Sequence, residues 1–321
     1  MAEFGYALSS EEHLPNDLVR YAQRAEEAGF SFGLISDHYH PWVDKQGQSP
    51  FVWSVIGAIA NATNKLRLGT GVTCPTVRIH PAIIAQAAAT SAVMMEGRFF
   101  LGVGTGENLN EHIHGDPWPS AAVRLEMLEE AVEVMRKLWD GGYKSHRGKH
   151  YTVENARLFT LPEQPPEIYV AAAGKKAATL AGKVGDGLIS TSPDDEVIKT
   201  FTSSGGGSKP RLGGLVVCWA ENEQKARKTA LEWWPNAGLR GELGQELPLP
   251  RHIEQATELV TEEQVAEAVV CGPDPEKHID KFREYLDAGF DHVYVHQVGP
   301  DQNGFFDFYA SEVIPKLTAR L

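Results

Sequence analysis

The chain is poor in cysteine, has no long apolar run and carries too little positive charge to balance its acids. Its 321 residues include three cysteines, Cys74, Cys218 and Cys271. They are odd in number, far apart and without a CxxC pair, which argues against a disulfide framework. Each sits in or beside an apolar stretch, so buried thiols in a reducing, cytoplasmic setting are expected. No uncharged apolar run reaches about 18 residues, so no membrane span is expected. The opening MAEFGYALSS has no basic segment leading into an apolar run, which argues against a signal peptide. Lys and Arg number 30 against 43 Asp and Glu, for a net charge of −13. That field disfavours nucleic acid and anionic membranes as partners and leaves a small-molecule substrate. Three motifs are also missing. There is no Gly-x-x-x-x-Gly-Lys-Ser/Thr and no Gly-x-Ser-x-Gly. Gly102, Gly104 and Gly106 do not make a dinucleotide fingerprint, because Glu107 stands where the last glycine belongs.

What the chain does have is an alternation. Apolar runs at 4–8, 32–36, 66–72, 99–103, 168–172, 187–191, 212–219 and 292–298 read as strands, and helical patterns lie between them. One local order recurs, in which a helix end and a glycine precede a buried strand. Glu27-Ala28-Gly29-Phe30 leads into FGLIS, and Asp287-Ala288-Gly289-Phe290 leads into HVYVH. Wholly apolar strands separated by helices imply a parallel sheet covered on both faces. Eight of them predict an α/β chain folded as one (β/α)8 TIM barrel over 1–321, with the excess length in insertions near 141–167 and 236–260. The first insertion reads as a hairpin-like excursion. Ser203 to Lys209 reads as a flexible surface loop, and Pro315 as a kink in the closing helix.

In such a barrel the chemistry lies just after the strand ends. Those ends supply Ser36-Asp37-His38, Gly71-Val72-Thr73, Thr105-Gly106-Glu107, Ala172-Ala173-Gly174, Thr191-Ser192 and His296. The fourth is the most suggestive, since FFLGVGTGENLNE runs from a buried strand into a glycine turn and then presents a carboxylate. His38 beside Asp37 is an acid–base candidate, with a loop-bonding histidine as the plainer alternative. Trp42 either walls a pocket or packs. His38-Tyr39-His40, like His112-Ile113-His114 with Asp116, has the spacing of a metal-binding pair. A metal-dependent hydrolase would need further histidines after the middle strands, and IYVAA and GLIST supply none, so no metal is expected. Ala173-Gly174-Lys175-Lys176 opens a helix whose free amides and lysines suit an anion.

Taken together, SDH with Trp42, LGTGV, FLGVGTGENLNE, YVAAAG and GDGLISTS resemble the luciferase-like barrel family. Within it they resemble the branch that uses coenzyme F420, typified by glucose-6-phosphate dehydrogenases. The likeness covers nearly the whole chain in order and is densest over 32–192. It implies hydride transfer between a substrate carbon and a deazaflavin across the barrel mouth, and homodimers as the common assembly. It further implies a non-prolyl cis peptide at Gly71-Val72 beside the ring. Asp37, Thr105, Gly106, Glu107 and Asn110 would line the cofactor. Ala172, Ala173, Gly174 and Lys175 would take its phosphate, with Thr191 and Ser192 nearby. His38 would handle the hydroxyl proton, Asp37 would fix cofactor or histidine, and Trp42 would shape the reacting centre. Glu107 would act as an acid, its pKa raised by burial. Glu11 matches a further pocket position.

The sequence departs from that family where sugar-phosphate members carry three basic residues. Asp194 stands at the first position, Arg251 with His252 at the second and Glu267 at the third. Two acids in place of two bases would repel a phosphate dianion, so a substrate other than glucose-6-phosphate is expected, of alcohol, aldehyde or ketone type. Competing readings are an FMN-dependent monooxygenase or reductase on the same barrel, a metal-dependent hydrolase and a catalytically silent cofactor carrier.

Overall fold

A computed structural model describes residues 2–320. Eight parallel strands close on themselves: β1 (Glu3–Leu8), β2 (Phe32–Ile35), β3 (Arg67–Thr70), β4 (Phe99–Val103), β5 (Ile168–Ala171), β6 (Gly187–Ser190), β7 (Arg211–Cys218) and β8 (His292–Gln297). Each pairs with its neighbours in chain order. The ring is closed where β1 pairs with β8, Gly5 opposite Tyr294 and Tyr6 opposite Val295. Strand β7 bonds β6 through residues 211–213, and its far end bonds a two-residue strand, Val270–Cys271. The (β/α)8 barrel expected from the alternation of apolar runs is therefore the fold.

Two apolar layers hold it. Inside the barrel, Phe32, Leu34, Phe100, Tyr169, Ile189 and Leu212 fill the bore. Large rings fit there because the neighbouring strand gives way. A Cβ on Gly69 would lie 2.0 Å from the Phe100 ring. Outside, the strands' other faces pack against the helices, including Pro15–Ala28, Val52–Ala62, Pro81–Met94 and Ala121–Trp139. The last buries Leu128, Val132, Met135 and Trp139 along one stripe, with Leu125 half-buried at its start.

Lys144–Arg147 and Thr152–Ala156 form the expected antiparallel hairpin. Residues 236–260 hold short helices, Leu243–Glu246 and Pro250–Thr257. A small apolar cluster of Val43, Leu109 and Ile253, with Trp42, Leu239 and Leu247 against it, binds this segment to the loops after β2 and β4. The insertion thereby becomes part of the rim above the strands' C-terminal ends.

Two local expectations are corrected. The Gly/Ser run is not a free loop: Thr202–Gly206 continues the helix Asp195–Phe201 as a wider turn packed on the helix Lys175–Val184. There a Cβ on Gly182 would sit 2.6 Å from the Phe201 carbonyl, so two backbones are in contact. The closing helix does depart from regularity, but ahead of Pro315, as a widened turn over Tyr309–Val313. A proline has no N–H and its ring crowds the carbonyl four residues back, so the irregularity precedes it. Among the described residues no helix is long and apolar enough to cross a membrane.

Candidate active site

At the C-terminal ends of the strands lies a cavity of about 740 Å³, lined by residues from nearly every strand end. That is ample for a cofactor and a small substrate. His38, Trp42, Val72, Glu107 and Glu11 face it, together with His296 and Trp234 from the opposite side.

The loop after β2 divides its residues by alternation. Ser36 and His38 face the cavity, and Asp37 between them is buried behind it. His38 Nδ1 lies 3.2 Å from Glu11 Oε1 and 3.3 Å from the His40 carbonyl. Both are acceptors, so Nδ1 carries the proton and Nε2 is left as a bare acceptor. Nε2 makes no hydrogen bond within the described chain. The His38 and Trp42 rings stand 5.1 Å apart. Glu11 is itself fixed, its other oxygen accepting from Ser36 Oγ at 2.5 Å and Ser9 Oγ at 3.0 Å. Burial alone would push the Glu11 carboxyl up, but the His38 ring and the Ser36 hydroxyl outweigh it, and it titrates below the ordinary range.

Asp37 serves the scaffold at this site. Its carboxylate accepts from Thr73 Oγ1 at 2.8 Å and from the Arg78 guanidinium at 2.8 Å. Arg78 also reaches Glu111, whose Oε2 accepts from the Arg78 backbone at 2.7 Å. Burial would lower the Arg78 pKa, and Asp37 more than reverses this. Burial pushes the Glu111 carboxyl up in spite of Arg78. This buried network ties the loops after β2, β3 and β4 to one another.

The glycine turn after β4 is dictated by space. Gly106 has φ +76°, and a Cβ there would lie 2.5 Å from Cys74 Sγ. Glu107 follows on the cavity wall, half-buried rather than enclosed, and accepts from Asn110 Nδ2 at 3.3 Å. Asn110 lies behind the wall, its Oδ1 accepting from the Tyr39 and His40 amides at 2.9 and 3.2 Å. It joins the Glu107 turn to the His38 loop. Thr105 and Gly104 also face the cavity, and the Gly71–Val72 peptide is cis.

Another part of the wall brings together a helix N-terminus and two lysines. Ala172, Ala173 and Gly174 lead into the helix Lys175–Val184, and all line the cavity with Lys175, Lys176 and Thr191. Arg124, from the helix Ala121–Trp139, also lines the cavity. Only 1% exposed, it stacks on Trp118 and donates to the Pro119 carbonyl, Glu246 and Gln245, yet its Nε has no partner.

The residues assigned to a substrate phosphate do not gather here. Asp194 caps the helix Asp195–Phe201, accepting from the Glu196 and Val197 amides. Arg251 and His252 lie at the start of Pro250–Thr257 and are not on the cavity wall; Ser192 is likewise off it. Glu267 belongs to a separate charged depression with Arg227 and Lys277. Sequence reasoning passed over Arg124, Trp234 and Glu12, and gave His296 no role. His296 had a signal, since it ends a barrel strand. Glu12 had none, its partner lying 284 residues away. The described residues contain no cluster of three or more His, Cys, Asp or Glu able to hold a metal ion.

A family model described as luciferase-like monooxygenase matches residues 1–292. The chain belongs to that family. A relative from Microbacterium testaceum (strain StLB037), named F420-dependent glucose-6-phosphate dehydrogenase, is 35% identical over 99% of this chain and 98% of its own. One of the same name from Kribbella flavida is 36% identical over 98% and 97%. A solved F420-dependent secondary alcohol dehydrogenase, in complex with an F420-acetone adduct, superposes with a TM-score of 0.91. It is 31% identical and is covered over 99% of its length, with 98% of this chain. The F420-dependent tetrahydromethanopterin reductase of Methanopyrus kandleri, at 22% identity and TM-score 0.77, shares the fold.

Proposed function

We propose that this luciferase-like protein is an F420-dependent oxidoreductase that interconverts a small neutral alcohol and its carbonyl compound. The observation that carries the proposal is His38, held by Glu11 with its bare Nε2 on the wall of a cavity whose other lobe suits an anion. A deazaflavin with a phosphate arm fits the lining. Gly104, where a Cβ would lie 2.7 Å from Val72, keeps the wall beside Val72 free of a further side chain. The helix start at Gly174 offers amides to the arm, and Lys175, Lys176 and Arg124 on the same wall offer positive charge.

The deazaflavin, when bound, supplies the acceptor for a hydride, or its donor in the reverse direction. His38 Nε2 takes the hydroxyl proton as the carbinol carbon loses its hydride, and returns it to the carbonyl oxygen in reduction. Glu11 holds the Nδ1 proton and balances the imidazolium that forms. Trp42 closes an apolar side of the reacting centre, and Glu107 lies across the site as a second proton-exchanging group. Glucose-6-phosphate fits poorly. Arg251 is off the wall, Asp194 is acidic and caps a helix, and Glu267 lies in a separate depression.

The test is titration of the cofactor-free protein with F420 and with FMN, followed by deazaflavin absorbance during turnover of an alcohol and ketone panel. F420 binding with turnover of secondary alcohols is expected. Micromolar FMN binding with no F420 binding would overturn the cofactor. Rapid turnover of glucose-6-phosphate would overturn the substrate class.

A further inference from the structure

The cavity contains a second anchored imidazole that the hydride transfer does not use. His296, at the end of β8, lies on the wall. Its Nε2 is 3.0 Å from Glu12 Oε2, and Glu12 is held in turn by the Gly299 amide at 2.9 Å to its other oxygen. The Glu12 side chain is wholly buried. The Trp234 ring meets the His296 ring edge-on at 4.5 Å and fixes its plane. A carboxylate at Nε2 makes that nitrogen the protonated one, so Nδ1 is a bare acceptor. Nδ1 makes no hydrogen bond within the described chain and is not sealed from the cavity.

Adjacent residues Glu11 and Glu12 thus hold two histidines by opposite nitrogens and leave each with one free acceptor on the same cavity. A monohydric alcohol satisfies only the first. We propose that the substrate carries a second hydroxyl, bound by His296 Nδ1, so that the enzyme acts on diols or polyols, or their hydroxyketone products. This rests on the reading of the cavity as an alcohol–deazaflavin site. His296 binds the substrate; Glu12 is a positioning residue. The chemistry at the reacting carbon is unchanged, one hydride leaving to the cofactor and one proton to His38.

The experiment compares 2-butanol with 1,3-butanediol, 2,3-butanediol and 1,4-pentanediol under F420 reduction. At least one diol is expected to exceed 2-butanol in kcat/KM by about tenfold, the worth of one hydrogen bond to a buried acceptor. In His296→Phe, which keeps a ring against Trp234, that ratio should fall to about unity. The ratio is taken within one preparation, so a reduced folded fraction does not alter it. As a readout apart from turnover, the preferred diol should change the tryptophan fluorescence of the cofactor-free protein, and His296→Phe should lose that response. If F420 binds and 2-butanol is oxidised but no diol is preferred, or if His296→Phe keeps the preference, the diol inference falls alone. If F420 does not bind, or no alcohol or ketone reacts, the underlying reading falls instead.

Discussion

Glu11 and His38 meet at 3.2 Å between a carboxylate oxygen and Nδ1, and this contact decides which nitrogen of the ring faces the cavity. The arrangement predicts a coupled pair. His38→Ala should lower kcat for alcohol oxidation by about 10²–10⁴-fold, the usual worth of a positioned base. Glu11→Gln keeps an acceptor but removes the charge that balances the imidazolium, and should cost about 10²-fold. Because both act on one proton, the double variant should be no slower than His38→Ala alone. Stopped-flow deazaflavin absorbance measures all three. Multiplicative losses would mean that Glu11 acts apart from His38.

Gly106 and Cys74 give a prediction about the turn. Any side chain at Gly106 must adopt φ +76° and enter space held by Cys74 Sγ. Gly106→Ala should therefore destabilise the protein by about 2–4 kcal/mol, combining backbone strain with overpacking. Adding Cys74→Ala removes the clash and leaves the strain, so it should recover part of the loss net of the cavity it creates. Urea midpoints of the single and double variants measure this. An unaltered midpoint in Gly106→Ala would show that the turn relaxes freely.

The barrel was legible because short, largely apolar runs alternate with helical patterns eight times along the chain. Catalytic candidates were legible where they follow strand ends, as His38, Trp42 and Glu107 do. What holds them was not. Asp37 pairs with Arg78, and Glu12 with His296 284 residues away, and no local pattern marks either. The alternation that puts Ser36 and His38 on the wall also turns Asp37 away from it, so a motif read as one unit splits between cavity and scaffold. The Gly/Ser run misled for a related reason. Its composition favours flexibility, yet Gly182 lets it pack backbone to backbone on a neighbouring helix.

Arg124 predicts how the cofactor's arm is held. Its guanidinium places a buried positive charge on the wall that Lys175 and Lys176 also line. Arg124→Met keeps the stem's volume and removes the fork. F420 should bind about tenfold more weakly to it, as loss of a positive charge in a poorly solvated wall implies. A deazaflavin lacking the phosphate arm should bind wild type and variant alike. Fluorescence titration with both compounds separates the two cases. Equal weakening of both would assign Arg124 to the scaffold through Gln245 and Glu246.

A pH-dependent stability follows from His278, far from the cavity in the helix Pro275–Asp287. The ring is fully buried, with Nδ1 at 2.8 Å from the Tyr309 hydroxyl and Nε2 at 3.0 Å from the Gly272 carbonyl. Burial lowers its pKa to about 4, against 6.5 for an exposed histidine. The unfolded chain therefore binds a proton between about pH 6.5 and 4 that the folded chain refuses, so stability must fall as pH drops through that window. Above pH 6.5 the contribution is fully present; by about pH 4 roughly 3 kcal/mol is lost, at about 1.4 kcal/mol for each pH unit crossed. The ring clamps the turn at Gly272 to the widened segment at Tyr309, so the loss should appear as earlier opening of the C-terminal helices in hydrogen exchange. His278→Gln keeps a donor and an acceptor but cannot titrate. It should be less stable at pH 7 and should lack this part of the acid slope. Urea unfolding of both proteins from pH 7.5 to 4.5 measures the difference, and parallel curves would mean that His278 takes up its proton without disturbing the fold.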